Sequence, residues 1–380
     1  MSRKRCMRME SLLPHHVVEQ ILESLAVNSL LRFKAVSKQW KSTIESQFFQ
    51  GKHLKHRLQS GDPDVLMVAV HNDDSPHVET LKTLVLGSSS SVKIPTPWEE
   101  TDKEHYYFVS YNSCDGLVCL YQPKEPGFVV NPTTRWYRPL PLCEYQHIMI
   151  DIGEVFYILK LGLFRLGFGK DIFTATYKPV WLYNSTEIGE EETATTCEVF
   201  DFSTNDWRDV TPAAPYRVIA LVAPLFVDGS LHWFTECQET KVISFDLHPE
   251  VFQVISKAPF VNSNPYEIVM CNLDNRLCVS EMKWPTQVIW SFNSGNKTWD
   301  KIYSIDMVIN VDRRNNLRFA VMPLASLKKK KKKKLLCYDR VLCPKLFTHD
   351  PETKTDDVAF SAANSIGLPV CYFPSLISIL

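Results

Sequence analysis

Five times in this chain an apolar run ends in an Asp or Asn turn and resumes beyond it on a further strand-like run: FVVNPTTRWYRPLP, VFDFSTNDWRDV, VISFDLHPEVFQVI, VIWSFNSGNKTWDKI and, less clearly, LFTHDPETKTDDVAF. An Asx side chain bonds the backbone just ahead of it and Pro presets φ, so each copy reads as a tight hairpin. Several copies follow another strand with its own turn, as in CDGLVCL, VDGSLHWF and LDNRLCVS. The unit is therefore three or four strands long. Asn131, Asp201, Asp246, Asn293 and Asp350 recur mostly at the roughly 40 to 50 residues expected of propeller blades. The longer gap before Asp201 has room for an extra copy at LGFGKDIFTATYKPVWL. Radial closure of about five or six blades leaves few exposed sheet edges. A two-sheet sandwich is the rival arrangement.

The N-terminal segment follows a different rule. Pro14 suits the first turn of a helix, and Val17, Val18, Ile21, Leu22 and Leu25 then fall on one helical stripe. Ser29 and Ser37 stand as N-caps before Leu30, Leu31 and Phe33 and before Trp40 and Ile44, giving two further short helices. The reading is α+β by segregation. A basic tail covers residues 1–12, a three-helix hook 13–56, a polar connector 57–64, and an all-β, propeller-like body 65–380. A helical unit of about forty-five residues is marginal on its own and needs something to dock on.

Eleven cysteines lie mostly inside apolar runs with no Cys-x-x-Cys pair, which reads as free thiols in a reducing compartment, nucleus and/or cytoplasm. A formal net charge of -1 gives no global pull toward nucleic acid or a membrane surface. The longest apolar stretch is broken by Lys160 and Arg165, so no membrane span is expected.

Catalytic chemistry has no foothold in the pattern. Gly167-Phe168-Gly169 lacks the third Gly or the Gly-Lys-Ser/Thr of a phosphate loop and reads as a strand-end turn. His15, His16, His53 and His56 read as solvated surface groups, because no zinc spacing accompanies them. Neither a cofactor nor a metal is expected. Asp115, Asp201, Asp228 and Asp246 are turn residues, and Trp136, Trp207, Trp233, Trp290 and Trp299 read as packing between sheets. Seven lysines, Lys328 to Lys334, belong in an exposed loop, read as an insertion without a selected role, with a nuclear import signal or nucleic-acid patch as the rival reading.

The segment from Leu13 to Trp40 resembles the F-box family in its Leu-Pro start, its Ile-Leu pair and its Arg-Phe, Val-Ser-Lys and Trp positions, departing at His16, Ala26 and Asn28. NPTTRWYRPLP, LGFGKDIFTATYK, GSLHWF and YFPSL resemble the F-box-associated domain of plant F-box proteins. The resemblance implies a substrate receptor of an SCF-type cullin-RING ubiquitin ligase, not itself an enzyme, that reaches cullin and RING subunits through the Skp adaptor. Leu13, Pro14, Ile21, Leu22, Leu25, Leu30, Val36 and Trp40 would then supply the adaptor-facing and hook-internal apolar surface. The other class weighed is a propeller that binds carbohydrate or peptide and uses the hook only as a cap. In a closed propeller the longer connections are the free recognition surface, which places an unidentified target on Tyr145 to Gly153, Pro212 to Arg217 and Ala258 to Pro265.

Overall fold

A computed structural model describes residues 14–69, 80–85, 91–97, 107–151, 166–189, 193–261, 264–307, 319–327, 333–339, 345–361 and 367–379. The hook holds four helices, α1 (His15–Glu23), α2 (Val27–Phe33), α3 (Lys38–Glu45) and α4 (Gln47–Ser60). Ser37 and Ser46 cap α3 and α4 by accepting bonds from Trp40 N and Phe49 N. The last helix runs through the first half of the expected connector. Gly61–Pro63 alone separates it from the β body.

That body is six four-stranded antiparallel sheets. The first blade holds β4 (Phe108–Val109), β5 (Val118–Gln122), β6 (Glu125–Asn131) and β7 (Trp136–Pro139). A helix, α5 (Glu144–Asp151), leads to the second blade, β8 (Leu166–Lys170), β9 (Tyr177–Asn184), β10 (Thr195–Asp201) and β11 (Asp206–Asp209). The third blade is β12 (Leu225–Val227), β13 (Ser230–Phe234), β14 (Lys241–Asp246) and β15 (Val251–Lys257). The fourth is β16 (Ile268–Asn272), β17 (Leu277–Lys283), β18 (Thr286–Asn293) and β19 (Thr298–Asp306). The fifth is β20 (Met322–Leu327), β21 (Lys334–Asp339), β22 (Lys345–Asp350) and β23 (Thr355–Ser361). The sixth closes the ring by joining β24 (Gly367–Tyr372) to β1 (Asp64–Ala69), β2 (Thr80–Leu84) and β3 (Ser91–Ile94). Pairing Asp64 with Tyr372 and Ala69 with Gly367 ties the two ends of the propeller together, so the ring has no open first or last edge.

The Asx turns repeat one geometry. The side-chain oxygens of Asn131, Asp201, Asp246, Asn293 and Asp350 each accept the backbone N–H two residues on. Four residues after each, Arg135, Asn205, Glu250, Lys297 and Lys354 adopt positive φ and return the chain. Asp171 and Ala175 repeat the device, but between β8 and β9, within the sheet that Asp201 also serves. LGFGKDIFTATYKPVWL is thus the start of the second blade and not an extra copy.

Gly167 and Gly169 lie inside strand β8, correcting their reading as a turn. A Cβ on Gly169 would meet Phe226 Cδ2 at 2.4 Å and Leu247 Cδ1 at 2.7 Å, and one on Gly167 would meet Leu231 Cδ1 at 2.7 Å. Blade two packs on blade three through bare backbone. Gly169→Ala should therefore overpack this contact and cost about 2 kcal/mol, read as a melting midpoint lower by about 4 °C. An unchanged midpoint would show that the neighbours yield freely.

His232, in β13, is a buried histidine that nothing in the sequence pattern flagged. Burial lowers its pKa to about 4, opposed only by a backbone hydrogen bond with Val227. The unfolded imidazole takes up its proton near pH 6.5, so the stability from keeping it neutral is whole above that value. It is lost as pH falls toward 4 and amounts to about 3 kcal/mol. Thermal melts between pH 7 and 4 should show this loss, and His232→Gln should flatten it. A variant with wild-type acid sensitivity would contradict the assignment. Glu198 acts in the opposite sense, since burial raises its pKa and its contribution is lost as pH rises.

Candidate functional site

Alternating connections divide the propeller into two rims. Turns after the first and third strand of each blade share one rim; middle hairpins and blade-to-blade links share the other. The hook sits on the first. There α4 contributes Leu54 and Leu58 to the wall of a cavity of about 550 Å³, opposite Asp115, Asn275 and Phe373. From the same rim the C-terminal segment sends Leu376 into the hook's core with Val18, Leu22, Val27, Leu30, Ile44 and Phe49.

The eight residues expected on the hook separate by burial. Leu22 and Leu30 are fully buried and hold the helices together. Leu25 and Trp40 are half-buried against that core, with Trp40 meeting Phe33 edge-on at 5.6 Å. Pro14, Ile21 and Val36 face outward, Ile21 being 46% and Val36 56% exposed. Leu13 lies outside the described residues. Sequence reasoning missed Phe48, which is 76% exposed while its neighbour Phe49 is buried. Four large apolar side chains of the hook, Ile21, Val36, Phe48 and Leu58, are therefore exposed among the described residues.

His53 is buried, not solvated, and its Nε2 donates to the Leu25 carbonyl at 2.8 Å, joining α4 to the end of α1. Burial lowers its pKa, so it acts as a neutral strut. The tryptophans pack as expected: Trp233 is buried, while Trp207 and Trp299 donate to Pro141 O and Ser256 Oγ. At the end of the lysine run, Lys334 opens β21 and pairs with Asp357, and Lys333 pairs with Asp274. Lys328 to Lys332 lie outside the described residues. Burial pushes the Cys119, Cys197 and Cys337 thiols up, so they are not thiolates near neutral pH. Among the described residues no three His, Cys, Asp or Glu side chains gather to hold a metal ion, and no helix is long and apolar enough to cross a membrane.

On the opposite rim the three expected recognition segments differ. The first is largely α5, clamped by Glu198, which accepts Glu144 N at 2.8 Å and Tyr145 N at 3.0 Å. Tyr145, Gln146 and Met149 are buried, so residues 145–151 are built into the body, a correction to their reading as a loop; Ile152 and Gly153 lie outside the described residues. Pro212 to Arg217 is partly held, with Ala214 buried and its carbonyl bonded by Thr195. In Ala258 to Pro265, Phe260 is buried while Val261 is 73% exposed and Asn264 is exposed; Asn262 and Ser263 lie outside the described residues.

Comparison with known proteins agrees with this division. A family model described as the F-box domain matches residues 11–50, and one described as the F-box associated beta propeller domain matches residues 68–379. An F-box/LRR-repeat/kelch-repeat protein of Arabidopsis thaliana is 66% identical over 386 residues, covering 100% of both chains. An F-box protein of the same plant is 52% identical over 389 residues, covering 98% of this chain and 86% of its own. The crystal structure of TolB from Acinetobacter baumannii, at 7% identity and a TM-score of 0.50, shares the fold over 86% of this chain and 73% of its own. The architecture is that of a helical hook on a six-bladed propeller. The chain belongs to the F-box proteins that carry an F-box-associated β-propeller domain.

Proposed function

We infer that this chain is the substrate receptor of an SCF-type cullin-RING ubiquitin ligase. The hook binds the Skp adaptor, and through it cullin and RING subunits; the propeller holds the protein to be ubiquitinated. The observation that carries this reading is the exposed apolar set Ile21, Val36 and Phe48 on a segment that belongs to the F-box domain. Such a surface on a small helical unit is what a partner covers. Since the hook occupies the rim of short turns, the target takes the other rim, where Val261 and Asn264 are exposed. The receptor performs no bond chemistry. It raises the effective concentration of target lysines near a charged ubiquitin carrier.

Size-exclusion chromatography of the purified chain mixed with a purified plant Skp adaptor tests the first half of this reading. Co-elution as a one-to-one complex is expected, and separate elution at micromolar concentration would remove the reading.

A further inference from the structure

The outer edge of the third blade lacks a guard that the other five share. An edge strand turns alternate N–H and C=O groups outward, and a charge along it keeps other strands from pairing there. The outer strands of five blades carry such a charge, at Lys93 in β3, Arg138 in β7, Arg208 in β11, Lys301 in β19 and Asp357 in β23. In β15, the outer strand of the third blade, residues 251–256 carry none. Its one charge is the last residue, Lys257, which pairs with Glu239 at 2.5 Å. Val251 is 56% and Val254 46% exposed, and Gln253 between them is exposed as well. Among the described residues, the one group of another sheet that bonds β15 is Trp299 Nε1, which donates to Ser256 Oγ at 2.6 Å and to Lys257 O at 2.8 Å. The fourth blade thus closes the far end of the strand and leaves residues 251–254 open. That stretch is regular, with Val251 opposite Asp246 and Val254 opposite Ile243, and the bulge falls beyond it.

We propose that residues 251–254 pair with the same stretch of a second copy of this chain, antiparallel about a twofold axis at Gln253. The axis sets Gln253 against itself and Phe252 against Val254 of the second copy, so every opposed position is apolar or neutral. Each copy supplies the backbone donors and acceptors that the other's open edge lacks. Charge is what selects a second copy as the occupant. Self-pairing of any other outer edge would bury one of the five charges, a cost that strand pairing does not repay, whereas β15 buries none and opposes no like charges. The contact spans one short strand from each copy, well below the area of a permanent dimer, so the association is weak and reversible. It lies on the side of the third blade and does not rest on the receptor reading.

Sedimentation velocity of the full-length chain, under reducing conditions and from about 1 to 200 μM, tests the pairing. A monomer–dimer equilibrium with a Kd of about 10 to 100 μM is expected. Val254→Lys supplies the missing guard and should weaken association by about tenfold or more, at an unchanged melting midpoint because the side chain is exposed. Val358→Lys, at a 63% exposed valine on the already charged β23, should leave association as it is. Gln253→Cys, at the axis, should form a disulfide between copies in oxidised glutathione, to a level that the wild-type chain does not reach. A chain that stays monomeric throughout, association unchanged in Val254→Lys, or equal loss in Val358→Lys overturns the proposal. So does a dimer in which Gln253→Cys forms no such crosslink. Adaptor binding by the hook enters none of these readouts, which separates a failure here from a failure of the receptor reading.

Discussion

Truncating the chain after Phe373 should loosen the hook from the propeller and lower the melting midpoint more than any single surface change. The segment that follows β24 touches two bodies at once, the first blade and the hook. Asn131, fully buried in the first blade, donates from Nδ2 to Ser375 O at 3.1 Å and to Ile377 O at 2.9 Å. Gly116, at φ +82°, lies so close that a Cβ there would stand 2.4 Å from Phe373 O. Leu376, 5% exposed, completes the hook's core. Removing it deletes a buried leucine from a small helical unit, at a cost of about 3 kcal/mol. Truncation also takes away the acceptors of the Asn131 Nδ2 donor, adding about 1 to 3 kcal/mol. Leu376→Ala alone should make α1 to α4 the first site of cleavage in limited proteolysis. Uniform protection of hook and propeller in the truncated chain would show that the tail braces neither.

The second large effect concerns the outward face of the hook. Ile21→Asp combined with Val36→Asp places two charges on surface that a partner must desolvate, and each buried unpaired charge costs several kcal/mol. Adaptor affinity should fall by a factor of about 100 or more, measured by titration calorimetry, while the melting midpoint stays within about 2 °C because both side chains are exposed. Leu22→Ala would be a poor substitute, since Leu22 is fully buried and its loss unfolds the hook instead. Retention of wild-type affinity by the double variant would move the adaptor face elsewhere.

What was legible in the sequence is what short-range bonding dictates. The Asx turns at Asn131, Asp201, Asp246, Asn293 and Asp350 are closed by side chains that bond two residues away, so their positions, and from them the repeat, could be read directly. Closure was not local: β24 meets β1 across some 300 residues of chain, and no pattern near either strand announces the other. Gly167 and Gly169 were misread for the same reason, because the atoms that require glycine belong to Leu231, Phe226 and Leu247 on the next blade. Burial of His53 depends on α1 lying across α4, and the structured state of Tyr145 to Asp151 depends on Glu198, some fifty residues on. In the hook, helical spacing identified an apolar stripe but could not divide it. Ile21 and Leu22 are neighbours in sequence, yet one faces out and the other forms the core.

The account makes the molecule two-ended, with adaptor on the hook's rim and target on the other. Affinity purification of tagged full-length chains, with partners identified by mass spectrometry, tests this most directly when two variants are compared. One carries Ile21→Asp with Val36→Asp, and the other exchanges Ala258 to Pro265 for an unrelated loop of equal length. The account predicts that the first loses adaptor and cullin but keeps the target, while the second loses the target but keeps adaptor and cullin. Loss of both sets of partners in either well-folded variant, or adaptor retained by the first, would contradict it.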